Sequence, residues 1–160
     1  DPPVRWLVID AQAIHDMDVT AAQRFAEPSA PIGLARPGCQ RVIIVAGSQH
    51  EVTKRQLAAL DRTVTVLRID PRDQSFLDQA KVTIEAADGL ILTGGHTARS
   101  VLSTGARRLD IGGEVETGIP WAVTTANGRD LAVITKAGGF GDDGALMRAV
   151  RFLTTAQSAT

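Results

Sequence analysis

Tyrosine is absent from this chain of 160 residues, cysteine occurs once, and neither charge sign prevails. Each lack excludes something. Aromatic residues make up only 4%, too few to argue for bases stacked on rings. Seventeen Lys and Arg against eighteen Asp and Glu, dispersed along the chain, give no basic stripe for nucleic acid or an anionic membrane. The lone Cys39 rules out an internal disulfide and a multi-cysteine metal site, and it reads as a small apolar residue in a reducing cytoplasm. No apolar run reaches the length of a membrane span. Asp1-Pro2-Pro3 and the "VRWLVID" that follows lack the basic start and small-residue cleavage site of a signal peptide, and the missing initiator Met points to a processed or excised chain. Neither a Walker ending nor G-x-G-x-x-G occurs, which argues against ordinary P-loop NTPases and NAD enzymes.

What is present is a regular alternation. With 44% hydrophobic residues the chain can bury a core without metal or disulfide help. Val4–Ile9 reads as a strand, and Ile14, Met17, Ala21, Ala22 and Phe25 mark one face of a helix after it. Residues 27–41, with three prolines and two glycines, form a linker and domain crossover. Then come the apolar strand "VIIVAGS", a helix through about Leu60, the strand "TVTVLRID", and a helix with Phe76, Leu77, Ala80, Ile84 and Ala87 inward. "GLILTGGHTARSVL" is a strand, a tight turn and a helix with Ala98, Val101 and Leu102 inward. Apolar strands separated by amphipathic helices predict a three-layer α/β/α Rossmann-like domain whose mostly parallel sheet is covered on both faces. The glycine-rich "LDIGGEVETGIP" reads as irregular, with Glu114 and Glu116 facing solvent or, alternatively, touching a ribose or metal. "WAVTT" and "LAVIT" flank Asn127-Gly128 as an antiparallel hairpin, and Ala145, Leu146, Ala149, Val150 and Leu153 trace the inner face of the last helix.

Three strand-to-helix turns are rich in small residues: "VAGSQHEVT" at 45–53, "TGGHTA" at 93–98 and "TKAGGFGDD" at 135–143. Open parallel sheets bind ligands beyond the carboxyl ends of their strands, so these turns are the candidate site. Ser48 offers a hydroxyl and an N–H. Gly94, Gly95, His96 and Thr97 offer a run of N–H groups for an anion, and Gly138 and Gly139 allow close approach of backbone to ligand. The plainer alternatives are helix capping for Ser48 and Thr97, close helix packing for the glycines, dipole pairing for Asp142 and Asp143, and for Lys136 either a phosphate contact or ordinary exposure at a strand end. His15, His50 and His96 are too scattered for a metal site.

In order, "VIIVAGS…VTKRQL", "DGLILTGGHTARSVL", "GGEVETGIPW" and "VITKAGGFG" resemble the C-terminal nucleotide-binding domain of the four-carbon acid sugar kinases. The resemblance covers about residues 41–150. It implies a nucleotide-binding domain at 41–160, preceded at 1–40 by the tail of a substrate-binding domain and the crossover. It implies ATP or ADP with Mg²⁺, and a small sugar acid of the threonate, erythronate or 3-oxo-tetronate type as substrate. Ser48, Gly94, Gly95, His96, Thr97, Gly138 and Gly139 would contact the nucleotide. The sugar-acid site and the base would lie in a domain not contained here, so the chain alone would be inactive. A homodimer is compatible with this reading. The family usually has an acidic residue where His96 stands, serine at Ala46 and Ala137, and proline at Thr117. The alternative is a regulatory nucleotide- or anion-binding module diverged from the kinases, and a structural domain with packing glycines is a third reading.

Overall fold

The structure, a computed structural model, describes residues 34–70, 73–103 and 108–155. The strand and helix expected before residue 34, with most of the proposed 1–40 segment, lie outside them. The elements run β1 (Val42–Ala46), α1 (Glu51–Ala58), β2 (Thr65–Arg68), α2 (Gln74–Glu85), β3 (Gly89–Thr93), α3 (Gly95–Leu102), β4 (Asp110–Glu116), β5 (Ile119–Ala126), β6 (Arg129–Lys136) and α4 (Ala145–Thr154).

The apolar strands form the middle of one sheet in the order β2-β1-β3-β6-β5-β4. β2, β1, β3 and β6 are parallel neighbours, and β5 is antiparallel to both β6 and β4. Alternation along the strands sends side chains to two cores. On one face Ile44, Ala46, Ile91, Ala132 and Ile134 pack with Ala145, Leu146, Ala149 and Leu153 of α4 and with Leu57 of α1. On the other Ile43, Val45, Leu90, Leu92, Leu131 and Val133 pack with Val101, Ala98 and Leu102 of α3 and Ile84 of α2. The sheet therefore has helices on both faces, as the strand and helix patterns predict. Phe76 and Leu77, expected on the inner face of α2, fall outside the described side chains, while Ala80 and Ala87 are buried as expected.

The hairpin is present: Asn127 and Gly128 hold φ of 51° and 75° between β5 and β6, the left-handed pair that a two-residue primed turn requires. The glycine-rich stretch before it departs from expectation, because Asp110–Glu116 is a strand, paired to β5 with shifts in register. Gly112 serves packing, and Gly113 holds a φ of 136°. A Cβ on Gly112 would fall inside the Trp121 ring, and that ring stands 5.3 Å from Phe152 of α4. Sequence alternation misses a strand whose inward positions are vacated for a ring from its neighbour.

Cys39 is buried beside β3, with its Sγ donating to Asp88 O at 3.4 Å. Burial, and then the nearby Asp88 carboxylate, push the thiol up to about 11. The nucleophilic thiolate is thereby disfavoured at ordinary pH. At pH 8 the native chain is expected to resist iodoacetamide and to be labelled within minutes in denaturant, as intact mass measurement would show; native labelling at the denatured rate would contradict this burial.

Candidate functional site

The sheet order itself locates the site. The chain leaves β1 for β2 on one side and then returns past β1 to β3 on the other, so order reverses between β1 and β3. That reversal opens a crevice beyond the carboxyl ends of the two strands. Ala46, Thr93 and Lys136 are in register across β1, β3 and β6, so all three small-residue turns leave from one edge. Direct contacts join them: Gly94 N–H donates to Lys136 O at 2.8 Å, Gly47 N–H to Thr93 O at 3.4 Å, and Thr53 Oγ1 to Gly138 O at 2.8 Å.

The second turn is the most open to a ligand. Gly94 is the N-cap of α3 at φ 96°, ψ 137°, a backbone conformation that favours glycine, and it offers no capping side chain. The first hydrogen bond within α3 is Ala98 N–H to Gly94 O. The N–H groups of Gly95, His96 and Thr97 are therefore the orphan donors of a helix start. Gly95 is exposed, and a Cβ there would meet no described atom within 4 Å. Its φ is not positive either, so neither packing nor backbone conformation within the described residues requires glycine at 95. Thr97 is 1% exposed, and its Oγ1 has no hydrogen-bond partner among the described residues. A Cβ on Gly94 would lie 3.5 Å from both Thr97 Oγ1 and Ser48 N, which puts the orphan hydroxyl beneath the crevice. His96 is exposed at the same helix start.

The capping alternatives do not hold. His50, not Ser48, is the N-cap of α1, its Nδ1 accepting from Val52 N–H at 3.2 Å. Ser48 Oγ accepts from His50 N–H at 3.2 Å and lies 3.3 Å from Thr53 Oγ1. Thr97 sits within the first turn of α3 rather than at its cap, because the chain already turns at Gly94.

In the third turn, Gly138 lies so close to Ser48 that a Cβ would overlap the serine hydroxyl, and a Cβ on Gly139 would lie 3.3 Å from His50 Nε2. Lys136 departs from the expectation of ordinary exposure at a strand end. It is 3% exposed, and its Nζ donates to Ala137 O, Gly138 O and Phe140 O at 2.9, 3.3 and 3.0 Å. Burial pushes its ammonium below the ordinary lysine range, with Glu116 pulling in the opposite direction. Gln56 is the residue that sequence reading missed. It is wholly buried on α1, and its Nε2 lies within hydrogen-bond distance of the carbonyls of Phe140, Gly141 and Asp142, which share its two hydrogens. No sequence signal marked it, because the buried positions of α1 are Thr53 and Gln56, both polar.

The carboxylates at this end are committed to the protein. Asp142 Oδ1 accepts from Gly144 N–H and from Arg148, and the Arg148 bond, then the Gly144 N–H, hold its carboxyl below the ordinary aspartate range. Asp143 pairs with Arg55 at 2.9 Å, and the Asp142 bond to the N-cap N–H of α4 agrees with the helix-start role expected for it. Glu116 pairs with Arg148 at 2.7 Å and Glu114 accepts from Gly118 N–H, so neither is simply solvated. Among the described residues no group of three His, Cys, Asp or Glu side chains could hold a metal ion.

Residues 74–146 match a family model described as a nucleotide-binding C-terminal domain. Over 122 residues, 69% of the chain, the sequence is 35% identical to the D-threonate kinase of Cupriavidus necator. This chain is similar to the nucleotide-binding part of the four-carbon acid sugar kinases. It spans 29% of the length of that kinase, so the comparison reaches one part of the family's architecture. The domain also resembles a citrate-bound, domain-swapped dimer of a domain of unknown function from Bordetella bronchiseptica, with a TM-score of 0.62 and 25% identity over 73% of this chain and 40% of that one. A Haemophilus influenzae protein shares the fold at a TM-score of 0.57 and 16% identity, covering 83% of this chain and 45% of that one. The four motifs that carry the sequence resemblance thus fall on β1–α1, β3–α3, β4–β5 and β6 with its following turn.

Proposed function

We propose that this chain is the ATP-binding part of a kinase that phosphorylates a small four-carbon sugar acid, with the nucleotide phosphates held at the start of α3. The observation that carries the reading is Gly95: exposed, unhindered and flanked by unbonded helix N–H groups over the buried, unpartnered Thr97 hydroxyl. Such a helix start favours an anion through its oriented N–H groups and dipole.

Gly94 through Thr97 would contact phosphate, Ser48 would donate its hydroxyl from the neighbouring turn, and Gly138 and Gly139 would close the cradle. Mg²⁺ would enter with the nucleotide and would supply charge neutralisation for phosphoryl transfer. The sugar acid, and the group that accepts its hydroxyl proton, would come from a substrate-binding domain outside this chain. Closure of two domains, in a cytoplasmic enzyme that allows a homodimer, completes the reading.

Thermal unfolding with ADP and Mg²⁺ tests it. At a ligand concentration 100 times the dissociation constant, a single site stabilises by about 2.7 kcal/mol. The expected result is a concentration-dependent rise in Tm with ADP and a smaller one with inorganic pyrophosphate. No shift with either at millimolar concentration would leave the glycines without a ligand and sink the reading.

A further inference from the structure

The turn between β6 and α4 has an unusual internal accounting. Lys136 Nζ reaches the carbonyls of Ala137, Gly138 and Phe140; Gln56 Nε2 reaches those of Phe140, Gly141 and Asp142; Thr53 Oγ1 reaches that of Gly138. All three donor residues are buried, at 3%, 0% and 0% exposure. The carbonyls of 137, 138, 140, 141 and 142 therefore point inward. In a trans peptide the N–H of the next residue points the opposite way, and the described chain has no cis bond. The N–H groups of Gly138, Gly139, Gly141, Asp142 and Asp143 are thus turned away from the brace. Phe140 N–H is the exception, closing the turn onto Ala137 O at 3.1 Å.

We infer that Lys136, Gln56 and Thr53 are positioning residues for the phosphate site: by drawing the carbonyls of 137–142 inward they present the amides of Gly138 and Gly139 as the second wall of an anion cradle, opposite the start of α3. This rests on the nucleotide reading above. Lys136 is then no direct phosphate ligand, since its three hydrogens are used by three carbonyls. The reversed peptide orientation would present oxygens and suit a cation. Buried donors that fix it thereby select the sign of the ligand.

The test is amide NMR of the ¹⁵N-labelled chain titrated with inorganic pyrophosphate and, separately, with adenosine. In the parent chain pyrophosphate should move the resonances of Gly138 and Gly139 together with those of Gly95 to Thr97. Thr53→Val removes one brace without changing charge, so a weaker pyrophosphate complex there cannot be lost Coulomb attraction. It should bind pyrophosphate about threefold more weakly and Lys136→Met about tenfold more weakly, each with a diminished Gly138–Gly139 response and unchanged adenosine affinity. Each carbonyl that Lys136 serves has a second donor, from Phe140 N–H, Thr53 or Gln56, which favours a folded Lys136→Met chain. Response at Gly95 to Thr97 with none at Gly138 and Gly139 would overturn the inference while sparing the nucleotide site. Unchanged pyrophosphate binding in both variants would overturn it as well. No amide response to pyrophosphate or adenosine anywhere would fell the nucleotide reading and the inference with it.

Discussion

Valine at position 95 is expected to abolish the nucleotide-dependent rise in stability while leaving the ligand-free chain within about 0.5 kcal/mol of its parent. Gly95 opens α3 with no positive φ, and a Cβ there would meet nothing within 4 Å, so neither backbone conformation nor the Cβ of a larger residue opposes Gly95→Val in the free protein. The isopropyl group would instead stand over the N–H groups that the phosphates are proposed to use. If it weakens ADP binding about a hundredfold, the stabilisation at 100 times the parent dissociation constant falls from about 2.7 to about 0.4 kcal/mol. Differential scanning fluorimetry across an ADP series reads both quantities at once. Parent-like ADP stabilisation in Gly95→Val would move the phosphate site away from α3. A large loss of stability without ligand would instead mean that glycine at 95 serves the fold.

Much of the architecture was written in hydrophobic period. Runs such as Leu90-Ile91-Leu92 can be buried on both faces only in a covered sheet, and Ala145, Leu146, Ala149 and Leu153 repeat at helical spacing. The hairpin was equally legible, since Asn127-Gly128 is a local conformational signal. β4 was not, because Gly112 is explained by the Trp121 ring from the adjacent strand, a tertiary fact with no local trace. The candidate site divides in the same way. The three glycine turns could be found because small residues at strand ends are a local signature, and the register of Ala46, Thr93 and Lys136 brings those turns together. The supporting donors were hidden: Lys136 looked like a surface lysine and Gln56 like an ordinary helix residue, since a buried polar group declares itself only through the carbonyls it meets.

Gln56→Glu is expected to be the most damaging conservative change in this part of the fold, costing roughly 3–5 kcal/mol at pH 8. The side chains are nearly the same shape, so no cavity or overlap complicates the result. What changes is the sign of the interaction. Nε2 now lies 3.0, 3.2 and 2.7 Å from the carbonyl oxygens of Phe140, Gly141 and Asp142, and a carboxylate would set oxygen against all three in a wholly buried position. The Lys136 ammonium shares the Phe140 carbonyl but already has three acceptors, so it offsets only part of that repulsion. Protonation relieves the conflict by restoring one donor, which raises the pKa of the introduced group in the folded state above its unfolded value of about 4.3. The unfolded chain then releases its proton first as pH rises. The folding penalty of the variant, measured against its parent, should therefore be small near pH 4 and grow through the interval up to the raised pKa. Urea unfolding of both chains at pH 4.5 and pH 8 measures the difference. A penalty independent of pH would show that the carbonyls of 140–142 can turn away from position 56, and the rigid turn on which the anion cradle depends would be lost with it.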